Sequence, residues 1–311
     1  MVLGRRNLQY RLYLPSSIAK SERLPLVLML HGCSQTVAEF AEGTRMNGVA
    51  EDRHCAVLYP EQPRKSNPLR CWNWFAPEVL AGEGEAALLV QAVHHIMEHY
   101  PIDPARVYVA GFSAGGAMAA VLCATHGDLF AACAIHSGVM FHAATTSLKA
   151  VQVMRRGASA SPTLIADMIA GERSPGTRVV PTLVIHGCDD KTVNPLNAEQ
   201  FVEQMRLLAE GLDPQTAPAT LGQEKWIESG GRQYRQQDLR QDGALLVRSI
   251  LIDGLGHAWS GGDARHKFFD AVGPDTSLLI IEFLLPNRLP AILLRSSATA
   301  QSSTLSSSAM L

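Results

Sequence analysis

Short apolar segments alternate with longer amphipathic segments along most of the chain. The short segments are apolar on both faces, and each ends at a glycine, a proline or a polar turn; they are residues 26–30, 56–59, 106–110, 131–136 and 182–186. Strands of this kind are typical of parallel sheets, because helices cover such sheets on both sides. The pattern therefore predicts a series of buried parallel strands.

Helical periodicity appears in the longer segments, where apolar residues recur every three or four positions; they are residues 83–100, 114–125, 197–209 and 275–284. Residues 232–239 and 245–253 flank Gln241-Asp242-Gly243 and predict a hairpin-like pair. Residues 140–177 have weaker periodicity, so we expect a small excursion over the sheet edge. The alternation predicts an α/β fold with a doubly wound, mainly parallel sheet and helices on both faces.

The two ends of the chain carry different signals. Residues 286–311 run into a Ser/Thr/Ala-rich stretch without the bulk to pack, so we expect a disordered tail after a single domain formed by residues 1–285. The N-terminus shows no apolar segment or cleavage site of a secretory signal peptide. We therefore expect the chain as written to stay in the cytoplasm.

Composition excludes several classes of protein. The 311 residues fit one α/β domain, and the 47% apolar content excludes a disordered chain. With 27 basic and 29 acidic residues the net charge is −2, so we expect no nucleic-acid partner. The longest apolar runs, 24–30 and 179–185, are too short to span a bilayer. The six cysteines include no Cys-x-x-Cys pair, and no glycine-rich phosphate loop is present.

Gly111-Phe112-Ser113-Ala114-Gly115 matches the pattern G-x-S-x-G. It follows a predicted strand and precedes a predicted helix, as a nucleophile elbow requires. Such a turn would lift the Ser113 hydroxyl above the strand ends, where the amides at the helix N-terminus favour negative charge. The alternative is a glycine-rich turn with a purely structural role. The predicted strand before the motif and the predicted helix after it favour Ser113 as a nucleophile.

A serine nucleophile needs a base, and the base needs an acid to orient it. In α/β-hydrolases these residues follow the serine in the order acid, then histidine. Asp189 and Asp190 both lie in the loop after the strand at 182–186, and His257 lies between glycines after the last predicted strand. His257 is therefore the candidate base, and the two carboxylates remain alternatives for the acid.

Residues 8–285 resemble the poly(3-hydroxybutyrate) depolymerase family of α/β-hydrolase esterases, which are relatives of feruloyl and acetylxylan esterases. The motifs that carry the resemblance are, in chain order, Leu30-His31-Gly32-Cys33-Ser34-Gln35, Cys71-Trp72-Asn73-Trp74-Phe75, Gly111-Phe112-Ser113-Ala114-Gly115-Gly116-Ala117-Met118, His186-Gly187-Cys188-Asp189-Asp190 and Gly256-His257-Ala258-Trp259-Ser260-Gly261-Gly262.

The resemblance implies an α/β-hydrolase fold with Ser113 as nucleophile and His257 as general base and acid. The family pattern places the acid at the fifth position of the His-Gly-x-x-Asp segment, which is Asp190, with Asp189 as an extra carboxylate beside it. No metal or organic cofactor is implied.

An oxyanion hole needs two backbone donors. One is the N–H of Ala114, the residue after the nucleophile. The resemblance puts the other in the loop that follows the strand at 26–30, where we choose the N–H of Cys33; His31 in that loop is expected to be structural. It also suggests that Cys33 and Cys71 could pair in a disulfide.

Three of the four tryptophans lie within these motifs. Trp259, two residues after His257, could supply a flat apolar wall for the acyl or alcohol part of an ester. Trp72 and Trp74 are candidates for the same role. The equal alternative is that both are core residues and anchor a long loop.

His95 and His99 are spaced i, i+4 on a predicted helix, a spacing that can bind zinc. The sequence shows no third ligand and no His-Glu-x-x-His pattern, so we expect a solvated helix face.

The sequence therefore predicts a serine carboxylester hydrolase that acts on a small or polymeric ester, with poly- or oligo-3-hydroxybutyrate or short-chain esters as the expected substrates. A feruloyl or acetylxylan esterase is the alternative on the same scaffold, because specificity lies in loops. A non-catalytic, polymer-binding relative is the second alternative, and the complete triad argues against it. Members of the resembled family are often exported, and the sequence leaves the oligomeric state open.

Overall fold

The computed structural model describes residues 2–3, 6–18, 22–166, 178–212 and 217–294. Its strands, numbered in chain order, are β1 Val2–Leu3, β2 Arg6–Asn7, β3 Gln9–Tyr13, β4 Leu24–Leu30, β5 Ala56–Glu61, β6 Ile102–Phe112, β7 Ala132–His136, β8 Thr182–Gly187, β9 Thr220–Leu221, β10 Lys225–Ser229, β11 Arg232–Gln241, β12 Ala244–Ile252, β13 Trp259–Ser260 and β14 Phe269–Asp270. Its helices are α1 Val37–Thr44, α2 Met46–Asp52, α3 Pro77–Leu80, α4 Gly84–His99, α5 Ala114–Thr125, α6 Ser147–Arg156, α7 Leu196–Leu212 and α8 Thr276–Leu284.

Ten of the described strands form one mixed sheet in the order β10-β11-β12-β8-β7-β6-β4-β5-β3, with β9 paired to β11. The six strands from β12 to β5 run parallel to one another. The antiparallel strands β3 and β9–β11 lie outside them on the two sides. This is the predicted doubly wound sheet, and the predicted hairpin is β11 and β12, whose second strand continues the parallel part of the sheet beside β8.

Two hydrophobic layers cover the sheet, because neighbouring residues of each parallel strand face opposite sides. In β4, Leu26 and Leu28 belong to the layer that contains α4, α5 and α7, whereas Val27 and Met29 belong to the layer that contains α1, α2 and α8. Parallel strands therefore read as continuous apolar runs, as the sequence pattern predicted. The fold is that of an α/β-hydrolase.

The packed chain extends past the predicted domain end at residue 285. The Tyr108 hydroxyl donates a hydrogen bond to the Asn287 carbonyl at 2.8 Å, and the Leu289 amide donates one to Ala105 at 2.9 Å. Leu289 itself is buried. The prediction of a disordered tail is therefore wrong for residues 286–294. The remaining residues of the predicted tail, 295–311, lie outside the described part of the chain.

Residues 140–177 were predicted as a small excursion, and α6 lies within this segment, whereas residues 167–177 are outside the described part. Among the described helices, none combines the length and the apolar character that a bilayer crossing requires.

Candidate active site

Ser113 lies at the tight turn between β6 and α5. Its backbone has φ 56° and ψ −119°, a conformation that L-residues rarely adopt. A Cβ atom on Gly111 would lie 2.2 Å from the Gly115 carbonyl oxygen, and one on Gly115 would lie 2.1 Å from the Leu30 carbonyl oxygen. The two glycines of G-x-S-x-G are therefore required by backbone crowding on both sides of the turn.

The structure brings Ser113 and His257 together from opposite parts of the chain. The Nε2 atom of His257 lies 3.0 Å from the Ser113 Oγ atom, within hydrogen-bond distance. His257 sits in the loop after β12, and the Ser113 side chain is nearly buried, with 8% of the residue exposed.

Asp190 is the carboxylate that meets the histidine. The Nδ1 atom of His257 lies 2.7 Å from Asp190 Oδ2, whereas the neighbouring Asp189 is exposed. A proton on Nδ1 is donated to the carboxylate, which leaves the Nε2 lone pair facing Ser113. Residue type alone leaves Asp189 and Asp190 as candidates for the acid, the resemblance selects Asp190, and it is Asp190 that the structure brings to His257.

Backbone amides of the loop after β8 hold the Asp190 carboxylate in place. The amides of Thr192 and Val193 each donate to Asp190 Oδ1 at 2.8 Å. Burial alone would raise the pKa of Asp190, but hydrogen bonds from His186, His257 and the Val193 amide hold it well below its usual range. The carboxylate therefore stays ionised at neutral pH.

His186 lies next to Asp190, and the sequence motifs alone assign it no role. It is fully buried at the end of β8, its Nε2 donates to the Val193 carbonyl at 2.8 Å, and the same atom lies 3.4 Å from Asp190 Oδ2. It is the first residue of the His-Gly-x-x-Asp segment, four positions before the carboxylate, and this spacing was the signal that could have identified it.

Trp259 lies below the site in the core, so its predicted contact with substrate is wrong. It is 0% exposed, its ring stacks on His136 with centroids 5.2 Å apart, and its Nε1 donates to Ser277 at 3.2 Å. Burial lowers the pKa of His136 well below its usual range, so this imidazole is neutral. The ring of Phe112, which is also buried, packs against that of His257 with the centroids 4.8 Å apart.

Trp72 and Trp74 are core residues, as one of the two alternatives expected. Both are buried, and Trp72 Nε1 donates to the His31 carbonyl at 3.1 Å. His31 is also buried; its Nδ1 donates to the Gly32 carbonyl and its Nε2 accepts from the Gln62 amide. These contacts make His31 a structural support of the loop after β4.

The loop after β4 is fastened to the segment that contains Trp72. A disulfide joins Cys33 to Cys71, and the Ser34 amide donates to the Leu69 carbonyl at 2.7 Å. Within the described part of the chain, the backbone N–H groups of Cys33 and Ala114 donate to no other group. Both predicted oxyanion donors are therefore available for a bound oxygen atom.

Comparison with known proteins gives a consistent result. The family model described as "Esterase PHB depolymerase" matches residues 8–224. Poly(3-hydroxyalkanoate) depolymerase C from Paucimonas lemoignei is 34% identical over 253 residues, which cover 81% of this chain and 58% of the relative. Feruloyl esterase B from Thermothelomyces thermophilus is 30% identical over 206 residues, which cover 64% of this chain and 69% of that relative.

Among solved structures, an acetyl xylan esterase from Aspergillus awamori has the same fold, with a TM-score of 0.67 at 22% identity. The match covers 81% of this chain and 89% of that one. The chain therefore spans nearly all of this esterase but less than two thirds of the length of the depolymerase.

Proposed function

The chain belongs to the esterase PHB depolymerase family, and from that premise we propose that it is a serine carboxylester hydrolase with Ser113, His257 and Asp190 as its catalytic triad. One observation carries the proposal: His257 reaches Ser113 Oγ with one ring nitrogen and Asp190 Oδ2 with the other. This is the arrangement by which a histidine activates a serine hydroxyl.

In the first half of the reaction, Ser113 Oγ attacks the carbonyl carbon of the ester while His257 Nε2 takes its proton. Asp190, held ionised, stabilises the imidazolium that forms. The negative charge that develops on the carbonyl oxygen is met by the N–H groups of Cys33 and Ala114. Removal of one such donor typically costs about 3 kcal/mol of transition-state stabilisation.

In the second half, the C–O bond to the leaving alcohol breaks, and His257 gives its proton to that alcohol. The acyl group remains on Ser113 Oγ. A water molecule then attacks the acyl carbon with His257 as base, and the carboxylic acid leaves with Ser113 restored.

For the substrate we propose esters of hydroxyalkanoic acids, as oligomers or polymer, or short-chain esters. Support comes from the name of the depolymerase relative, which shares 34% of its aligned residues. A feruloyl or acetylxylan ester is the second candidate, favoured by the feruloyl esterase relative. A panel of hydroxybutyrate oligomers, p-nitrophenyl butyrate, acetylated xylan and methyl ferulate separates the two by their kcat/KM values.

For the location we propose an oxidising compartment rather than the cytoplasm expected from the N-terminal sequence. The disulfide between Cys33 and Cys71 supports this, because such bonds persist mainly in oxidising environments. Thiol counting on protein isolated from its native cells under alkylating conditions tests it: four free thiols fit the proposal, and six would contradict it.

Labelling with a fluorophosphonate probe tests the catalytic proposal. The probe should attach to Ser113 in the native protein and fail to react with the His257→Ala variant, which keeps the serine but loses its base. Peptide mapping locates the label. A native, folded protein that takes no label, or takes it elsewhere, would contradict the proposal.

A further inference from the structure

Three potential metal ligands lie together on the exposed side of α4. The ligand atoms of His95, Glu98 and His99 all lie within 4.8 Å of one another. Their spacing of i, i+3 and i+4 places them on one face of the helix, and two histidines four positions apart can hold a zinc ion. The spacing of the two histidines in the sequence indicates no third ligand, and the structure provides one in Glu98.

The His99 ring is already set for binding. Its Nδ1 atom lies 2.8 Å from the carbonyl oxygen of His95, so Nδ1 carries the proton and donates it. The lone pair is then on Nε2, which faces away from the backbone. Histidines that bind metals commonly donate their other ring N–H to a carbonyl in this way, because it fixes the tautomer and the ring orientation.

The second ring lies beside the first. The ring centroids of His95 and His99 are 4.2 Å apart, with an angle of 38° between the planes. A shared ion can therefore be reached from both imidazoles without a change in the helix backbone.

Charge at this end of α4 also favours a cation. Within the described residues Glu98 takes part in no ion pair or hydrogen bond, so its carboxylate is available as a ligand. The cluster spans the last two turns of α4, and His99 lies in the final turn, where the carbonyl ends of the helix carry partial negative charge.

We propose that His95, Glu98 and His99 form a binding site for a divalent transition-metal ion of the Zn²⁺ class. Two imidazoles and one carboxylate suit Zn²⁺, Cu²⁺ or Ni²⁺, whereas Ca²⁺ and Mg²⁺ require mainly oxygen ligands. With three protein ligands, a tetrahedral ion keeps one position for water. The bound ion joins the last two turns of α4 and stabilises the folded chain.

The metal site is separate from the proposed ester hydrolysis. None of the three ligands contacts Ser113, His257 or Asp190 through a hydrogen bond. Occupation of the site is therefore expected to change stability and to leave the triad geometry as it is.

Calorimetric titration of Zn²⁺ into the tag-free, chelator-treated full chain tests the proposal. We expect one saturable site per chain, with an affinity at least ~10-fold lower in His99→Ala and in Glu98→Gln. His94→Ala is the matched control, because His94 lies on the same helix outside the cluster, and its affinity should equal that of the native chain. Saturating Zn²⁺ should raise the midpoint of thermal unfolding of the native chain and of His94→Ala only.

Three results would overturn the proposal. One is the absence of saturable Zn²⁺ binding, and another is binding that His99→Ala leaves unchanged. The third is unchanged affinity in Glu98→Gln, which would contradict a site with three ligands. Equal unfolding midpoints of all variants in excess chelator establish that a loss of binding is not a loss of fold, and Ca²⁺ at the same concentration should give no binding.

Discussion

Asp190 Oδ2 accepts a 2.7 Å hydrogen bond from His257 Nδ1, while the side chain of the adjacent Asp189 faces solvent. The two carboxylates differ by one position in the sequence and differ completely in environment. Only Asp190 receives backbone amides and two imidazoles. This contrast provides a matched pair of variants that test which carboxylate is the acid of the proposed triad.

Asp190→Asn is expected to lower kcat for p-nitrophenyl butyrate by about 10⁴-fold, because the amide favours the wrong tautomer of His257 and cannot stabilise its charged form. Asp189→Asn should stay within about twofold of the native rate, since an exposed substitution changes little. Steady-state kinetics on the two variants checks this. A larger loss in Asp189→Asn would reassign the acid.

Substitution of a glycine in the elbow tests whether backbone crowding there limits the stability of the fold. Gly115→Ala is expected to prevent folding, because its Cβ would lie 2.1 Å from the Leu30 carbonyl oxygen. Gly48→Ala, in the middle of α2, meets no atom within 4 Å and should stabilise the chain by up to about 1 kcal/mol. Denaturant unfolding measures both. A stable Gly115→Ala variant would show that the backbone crowding at the elbow is not a constraint.

Reduction of the disulfide between Cys33 and Cys71 should lower both stability and activity. The bond spans 38 positions, and closing a loop of that length contributes up to ~4 kcal/mol. It also holds the loop whose Cys33 amide is the proposed oxyanion donor, so looser positioning should lower kcat by about tenfold or more. Activity and unfolding are compared with and without dithiothreitol.

The double variant Cys33→Ser/Cys71→Ser is the control for reduction elsewhere in the chain. It should match the reduced native protein and be insensitive to dithiothreitol. Equal activity of the oxidised and reduced native chains would contradict a role of the disulfide in the oxyanion loop.

Stability should fall as the pH drops below about 6.5. Burial lowers the pKa values of His31 and His136, so the unfolded state binds protons that the folded state does not. The free energy of unfolding therefore has its highest value above the pKa that these histidines have in the unfolded chain. Below that pH it declines by up to about 1.4 kcal/mol per pH unit for each histidine. Because the pKa of Asp190 is lowered in the folded state, this residue adds a further loss of stability only below about pH 4.

Denaturant unfolding between pH 8 and pH 5 measures this slope, and His136→Gln should have a smaller slope than the native chain because one titrating group is removed. An identical slope in the two proteins would contradict the neutral, buried state of His136.

The sequence was sufficient to predict the parallel strands and the elbow, because continuous apolar runs and G-x-S-x-G reflect local packing and backbone crowding. It could not choose between Asp189 and Asp190 from residue type alone, since the difference is which way the loop after β8 turns. It also misplaced Trp259: proximity to His257 in the sequence suggested a wall of the site, but the residue turns into the core against His136. His186 ends a strand that the sequence predicts to be buried, but its 3.4 Å approach to Asp190 depends on the path of the loop after β8.

Substitution of the nucleophile tests the central claim most directly. In Ser113→Ala the His257 and Asp190 side chains remain, but no oxygen is left to attack the ester. We expect kcat for p-nitrophenyl butyrate to fall by at least ~10⁴-fold, with the unfolding midpoint unchanged. Hydrolysis at the native rate by the folded Ser113→Ala protein would contradict the proposed mechanism.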